Sequence, residues 1–474
     1  MDIKTHDTII KKSAAGTFIL IGFAGIQYVI VFVTQIILAR LLIPEYFGMI
    51  AFAIMVVMFI NNFCRTHGER FIIKEKKNIQ EKIDNIFTIE LALSIFFIGF
   101  VFLLAPAIMK LLNKPDLTVM VQVLAITFLY NPFSKPKYLF EKELNFKMAN
   151  LPSIISQAIG SIIAITMALL GFGIWSLIFL LLSKQISESI LIWIIAPYRP
   201  RLRFNKIIVK QILNYGLPLF GSTVLVFFYL NIDYYIVGQL LGLEQLGFYY
   251  LGFTMSNYLL QINYKINSVA FPAFSKIEDK TYIKKGFKLL TRTTAIIYLL
   301  PTLLILVLGR PLIEIVFGEK WLPATIPLQI FMVLTSLKAI VSYWDPIILL
   351  KGKTKIFLWI TCYRAPLTAV AVYILTLRFG IIGASMGTLI AYAIVVPLMA
   401  RWVGKIFHLE YSFLHKPIMV FILLYALFYV LIYFLKPVGV SAIIMALLIT
   451  GSYVLIWIKD PSIKKAYTLI KRKS

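Results

Sequence analysis

Apolar runs of about 17 to 25 residues follow one another along the whole 474-residue chain, each long enough to cross the ~30 Å hydrocarbon layer as a helix. A bilayer admits only segments that satisfy their own backbone hydrogen bonds, which leaves α-helices and closed barrels. The runs lack the two-residue alternation of barrel strands, so the chain reads as an all-α integral membrane protein. With 60% apolar and 14% charged residues, an ordinary soluble domain is excluded.

About fourteen transmembrane helices can be drawn, at 14–38, 47–63, 86–109, 117–133, 151–170, 174–196, 216–237, 246–262, 289–308, 322–341, 356–377, 381–403, 417–435 and 440–458. The first lacks a small-residue cleavage site and reads as a retained helix. With the amino terminus placed in the cytoplasm, the inner segments hold about 37 of the 47 Lys and Arg, the outer loops about 7 and the spans about 3. A miscounted helix would invert that alternation downstream, and no inversion occurs. Both termini are therefore expected inside a cytoplasmic membrane. The net charge of +26 then reflects topology and anionic phospholipid headgroups as partners, with no nucleic acid. All seven tryptophans lie at or near span ends, as an interfacial belt would place them.

One stretch occurs twice. Ile37-Leu38-Ala39-Arg40-Leu41-Leu42 leads to Glu45 and Gly48, and Ile236-Val237-Gly238-Gln239-Leu240-Leu241 leads to Glu244 and Gly247. Gln122 and Gln329 sit in a second matching pair of segments, Gly173 and Gly380 in a third. Ordered matches at a similar shift argue for a duplicated half. Six spans separate the copies, an even number, so the halves are expected as two pseudo-symmetric six-helix lobes in a parallel repeat around a central cavity. This predicts an N-lobe over 1–198, a C-lobe over 199–408, and two C-terminal helices with a basic tail over 409–474.

Asn231-Ile232-Asp233-Tyr234-Tyr235-Ile236-Val237-Gly238, followed by Leu246-Gly247-Phe248-Tyr249, resembles a signature of polysaccharide flippases. Phe317-Gly318-Glu319-Lys320-Trp321 and the basic stretch from Leu139 to Lys147 are similar to two further family motifs. These flippases belong to the multidrug/oligosaccharidyl-lipid/polysaccharide exporter superfamily, with a MATE-like fold. The resemblance implies translocation of an undecaprenyl-diphosphate-linked oligosaccharide for surface polysaccharide biosynthesis, by alternating access and driven by an ion or the membrane potential. It also implies the polysaccharide polymerase and glycosyltransferases as partners. Thr66-His67-Gly68-Glu69-Arg70 departs from the pattern, because relatives are small and apolar after that glycine.

Such a substrate needs cations for its diphosphate, and charges inside spans are costly and usually face a cavity. Arg364 in the eleventh span suits bidentate phosphate binding. Lys184 is the second candidate, with Glu188 one turn on and placed to neutralise it. Lys338 near an inner span end can also snorkel to headgroups. Arg40 stands at the outer end of the first span, and Arg65, Arg70 and Lys265 at the inner mouth. Asp233 and Glu188 are the ion-coupling or gating candidates. Asn61, Asn62, Gln27 and Gln35 suit either sugar hydroxyls or interhelical hydrogen bonds.

Enzyme chemistry finds no support. Gly352-Lys353-Thr354 lacks the upstream glycine of a phosphate loop, and His408 and His415 have no further ligands near them. No cofactor or metal is implied. A cation-coupled MATE-type antiporter would want an acid in the first span, which has none. A lipid II flippase differs only in substrate. A membrane glycosyltransferase would need a large polar outer loop.

Overall fold

The computed structural model describes residues 3–68, 72, 78–143, 145–275, 280–344, 348, 354–407, 411–435, 440–457 and 460. These residues are mostly helical and contain no strand. Ten helices among them are long and apolar enough to cross a membrane, one of them 47 residues long. The fifteen helices used below are α1 (Ile3–Leu41), α2 (Pro44–Asn61), α3 (Ile79–Leu111), α4 (Thr118–Ala125), α5 (Tyr130–Phe133), α6 (Lys137–Lys142), α7 (Phe146–Leu169), α8 (Trp175–Ile195), α9 (Lys206–Leu240), α10 (Leu243–Ser275), α11 (Lys280–Phe317), α12 (Thr325–Val341), α13 (Thr354–Phe407), α14 (His415–Leu435) and α15 (Val440–Trp457). The segment expected to span at 246–262 lies within α10, which is not among the ten, and the last two expected spans appear as shorter apolar helices.

By packing the chain divides into two compact units, Met1–Gly247 and Phe248–Ser474. That division follows contacts and falls later than the repeat boundary drawn at residue 198.

In the first unit the twin stretches meet. α2 begins at Pro44 and α10 at Leu243, the same place in each copy. A Cβ on Gly48 would overlap the carbonyl oxygen of Leu243, and one on Gly247 would overlap that of Pro44. Each copy thus presses its glycine on the other's first helical residue, a self-complementary contact that only a bare Cα allows. The same region buries the Asn-Ile-Asp-Tyr-Tyr segment: Asp233 is 3% exposed and Val237 is fully buried, while Gly238 faces the Phe52 ring of α2.

The other two anchor pairs are equivalent in geometry as well as in order. Gln122 donates its amide to the carbonyl of Phe102 at 2.9 Å, and Gln329 donates to that of Leu306 at 2.9 Å, in each case on the preceding long helix. Gly173 and Gly380 both take a positive φ, 55° and 57°. At Gly380 that conformation breaks α13, whose 54 residues are two helices joined at a kink.

Between α8 and α9 the chain runs extended along the first turns of α3. The Arg201 amide and the Tyr198 hydroxyl both donate to Asp84 Oδ1, at 2.9 and 2.8 Å. The Arg203 amide donates to Thr88 Oγ1 at 2.9 Å and the Asn205 amide to Asn85 Oδ1 at 2.6 Å. Amides of alternate residues thus point at one helix, the period of an extended strand. Desolvation, then the Asp84 bond, pushes the Tyr198 phenol up to about 12. Asp84→Ala removes two of these acceptor bonds, and tryptic cleavage after Arg201 and Arg203 should rise about tenfold over the native chain. An unchanged cleavage rate would mean that the strap is held by its ends alone.

In the second unit α14 and α15 pack on α11 through Ile296, Leu303, Phe428, Ile449 and Tyr453. The Tyr453 hydroxyl donates to the Ile296 carbonyl at 2.7 Å, and Arg292 pairs with Asp460 at 2.7 Å. The tryptophan belt needs correction. Trp359 is 76% exposed, but Trp321, Trp344 and Trp457 are buried in protein. Trp321 of the Phe-Gly-Glu-Lys-Trp motif stands edge-on to Phe248 at 6.0 Å, so the motif there serves packing.

Candidate functional site

Arg364 and Lys338 come together on one aromatic ring. Residue 364 lies sixteen positions before the Gly380 kink, and Tyr392 and Met399 lie twelve and nineteen after it. Folding at Gly380 brings the two halves of α13 side by side, so residues at similar distances from the kink meet. The Arg364 guanidinium carbon is 5.0 Å from the Tyr392 ring centre, and its Nη2 reaches Met399 Sδ at 3.6 Å. From α12, the Lys338 amine lies 5.8 Å from the same ring and 5.7 Å from that of Phe253. Lys338 is half-buried over these rings, a packing that the snorkelling alternative did not foresee.

The Tyr392 ring, 8% exposed, is a neutral surface that both cations share. Cation–π attraction holds each by about 0.5–2 kcal/mol without cancelling its charge. Two positive groups on a single ring, inside a unit of apolar helices, suit an anion with more than one charge.

Two ion pairs in the first unit involve buried glutamates. Glu90 is fully buried and pairs with Lys135, itself 2% exposed, at 2.8 Å. Its other oxygen accepts from the Thr66 amide at 3.0 Å and the Thr66 hydroxyl at 2.6 Å. Glu90 therefore fixes the Thr66-His67-Gly68 turn at the end of α2. Glu188 is also buried, but its contacts are the Tyr130 hydroxyl at 2.9 Å and the Lys137 amine at 3.8 Å. The one-turn pairing with Lys184 is thus replaced by partners from α5 and α6. Lys184 is half-buried and makes no ion pair among the described residues.

Sequence reasoning passed over Glu90 and Lys135. The signal was there, since Glu90 is an acid inside the span drawn at 86–109. Lys135 falls between the spans drawn at 117–133 and 151–170, among the inner-loop bases.

The remaining candidates are dispersed. Arg40 is exposed at the end of α1, and Arg65 is half-buried after α2. Asp233 is buried, with Oδ1 accepting from the Tyr234 amide at 3.0 Å. Arg70 and the side chain of Lys265 lie outside the described residues. Gln27 donates to Ser153 at 3.2 Å, and Asn131 donates to Asn61 at 2.6 Å, so these amides join helices.

Residues 37–326, more than half of the chain, match the family model described as "Polysaccharide biosynthesis protein". The chain belongs to that family. The succinoglycan biosynthesis transport protein ExoT of Rhizobium meliloti (strain 1021) is 25% identical over 344 residues, 72% of this chain and 70% of that protein. The lipopolysaccharide biosynthesis protein WzxC of Escherichia coli (strain K12) is 25% identical over 397 residues, 81% of this chain and 78% of that one. Among solved structures, the lipid II flippase MurJ in an inward-closed conformation superposes with a TM-score of 0.68 at 13% identity, over 93% of this chain and all of that one. An inward-facing MATE-family multidrug transporter gives 0.64 at 16% identity, over 81% and 94%. The polysaccharide biosynthesis chain described here shares their helical membrane fold, and it is a multi-pass membrane protein.

Proposed function

We propose that the protein is a flippase that carries an undecaprenyl-diphosphate-linked oligosaccharide across the cytoplasmic membrane for surface polysaccharide biosynthesis. It works by alternating access through fourteen spans, with both termini in the cytoplasm. The observation that carries the reading is the meeting of Arg364 and Lys338 on Tyr392, which offers a diphosphate two cations. The transport role named for ExoT and the lipopolysaccharide biosynthesis role named for WzxC support it. Arg364 takes phosphate oxygens in a fork, and Lys338 adds a movable point charge. The remaining candidates, Lys184, Arg40, Arg65, Arg70 and Lys265, guide the head group, and Asp233 and Glu188 couple or gate.

The test is flipping of a fluorescent undecaprenyl-diphosphate oligosaccharide in proteoliposomes. Arg364→Ala and Lys338→Ala should each slow transport about tenfold, and the double variant about a hundredfold, with unchanged unfolding temperatures. Native rates in the double variant would sink the cationic-site mechanism.

A further inference from the structure

A groove of about 580 Å³ runs along the membrane-spanning surface of the first unit, between α8 and the stretch from Ile126 to Phe133. Its walls are largely apolar and open outward, with Ile186, Ile190 and Ile194 each more than half exposed. Thr127 and Tyr130 also line it, with their hydroxyls donated to the Leu124 carbonyl and to Glu188, and three further polar side chains interrupt the walls.

At the mouth stands Arg199. Its Nε donates to the Trp193 carbonyl at 3.2 Å, which folds the side chain back over the end of α8. Its two terminal nitrogens have no partner among the described residues and form an open fork.

Ser189 lies one turn, about 6 Å, deeper than Trp193. Of the four serines on this helix, Ser183 and Ser187 bond back to the preceding turn, to the carbonyls of Phe179 and Ser183, while the buried Ser176 hydroxyl has no partner among the described residues. Ser189 makes no such bond among the described residues. Gln185, a further turn down the same face, has its buried amide oxygen without a hydrogen-bond partner. Unpartnered polar groups in an apolar wall are costly unless a ligand meets them.

We infer that this groove binds an anionic glycerophospholipid, independently of the transport reading. The phosphate is held in the Arg199 fork and the acyl chain fills the groove. Ser189 donates its hydroxyl to a glycerol ester carbonyl, the group that lies just below the phosphate of such a lipid. An isoprenoid phosphate offers a phosphate and an apolar chain but no ester carbonyl at that depth, so Ser189 would stay unmet.

Native mass spectrometry of the full chain, titrated with phosphatidylglycerol, phosphatidylcholine or undecaprenyl phosphate, tests this. Phosphatidylglycerol should bind about tenfold more tightly than phosphatidylcholine, and Arg199→Gln should reduce that preference to about twofold or less. Ser189→Ala should weaken both glycerophospholipids about fivefold and leave undecaprenyl phosphate unchanged. A preference that survives Arg199→Gln, or undecaprenyl phosphate displacing phosphatidylglycerol at equal concentration, overturns the assignment. Ile190→Trp, at an exposed position, fills the groove without touching the polar groups. Loss of the bound phosphatidylglycerol is expected there, and its retention would also overturn the site.

Discussion

Glu90→Ala should destabilise the protein by about 3–5 kcal/mol, because it leaves the Lys135 ammonium buried without its counter-charge. The same change takes the acceptor from the Thr66 amide and hydroxyl, so the turn after α2 loses its anchor as well. Thermal unfolding in detergent measures the loss. The pair is not itself a large source of stability, since desolvating both charges offsets much of their attraction. Replacing both partners, as in Glu90→Gln with Lys135→Met, should therefore recover more than half of the loss. If the double variant is as unstable as Glu90→Ala, the turn at Thr66 is the main debt and the ion pair is incidental. An unchanged unfolding temperature in the single variant would mean that water or another carboxylate reaches Lys135.

Gly48→Val and Gly247→Val should each cost about 3 kcal/mol, at the upper end for overpacking. The obstacle in each case is a backbone carbonyl, of Leu243 or of Pro44, which cannot turn aside as a side chain would. Because the contact is self-complementary, the two variants should behave alike, and their combination should cost less than the sum, since the first already separates the helix starts. Gly99→Ala is the contrast. It lies within α3 with open space around its Cα, so alanine there should be neutral or stabilise by about 0.5–1 kcal/mol. Equal unfolding temperatures for Gly48→Val and Gly99→Ala would refute the close approach.

How much was legible in advance depended on range. The helical membrane-spanning character followed from local hydropathy, and the three anchor pairs from ordered similarity, because both signals are local to a segment. Arg364 and Lys338 stood out singly as charges inside apolar runs. Their meeting on Tyr392 was not legible, since it depends on a kink at Gly380 that doubles α13 back on itself. Glu188 shows the same limit. Helical spacing offered Lys184, but the carboxylate went to Tyr130 and Lys137, which are distant in sequence and adjacent in space. Trp321 looked interfacial by position and is buried by packing.

The sequence by itself determined that this chain is a multi-pass helical membrane protein, that one stretch recurs along it, and that a few charges sit where a bilayer tolerates them badly. Those conclusions rest on transfer free energies and repeat spacing, which each segment carries alone. Only the tertiary structure decided which charges neutralise one another and which share an uncharged ring. Pairing depends on distances between helices, and no one-dimensional pattern encodes them. The same holds for the twin stretch: its glycines were visible as a repeat, but only the folded chain placed each against the carbonyl of the other.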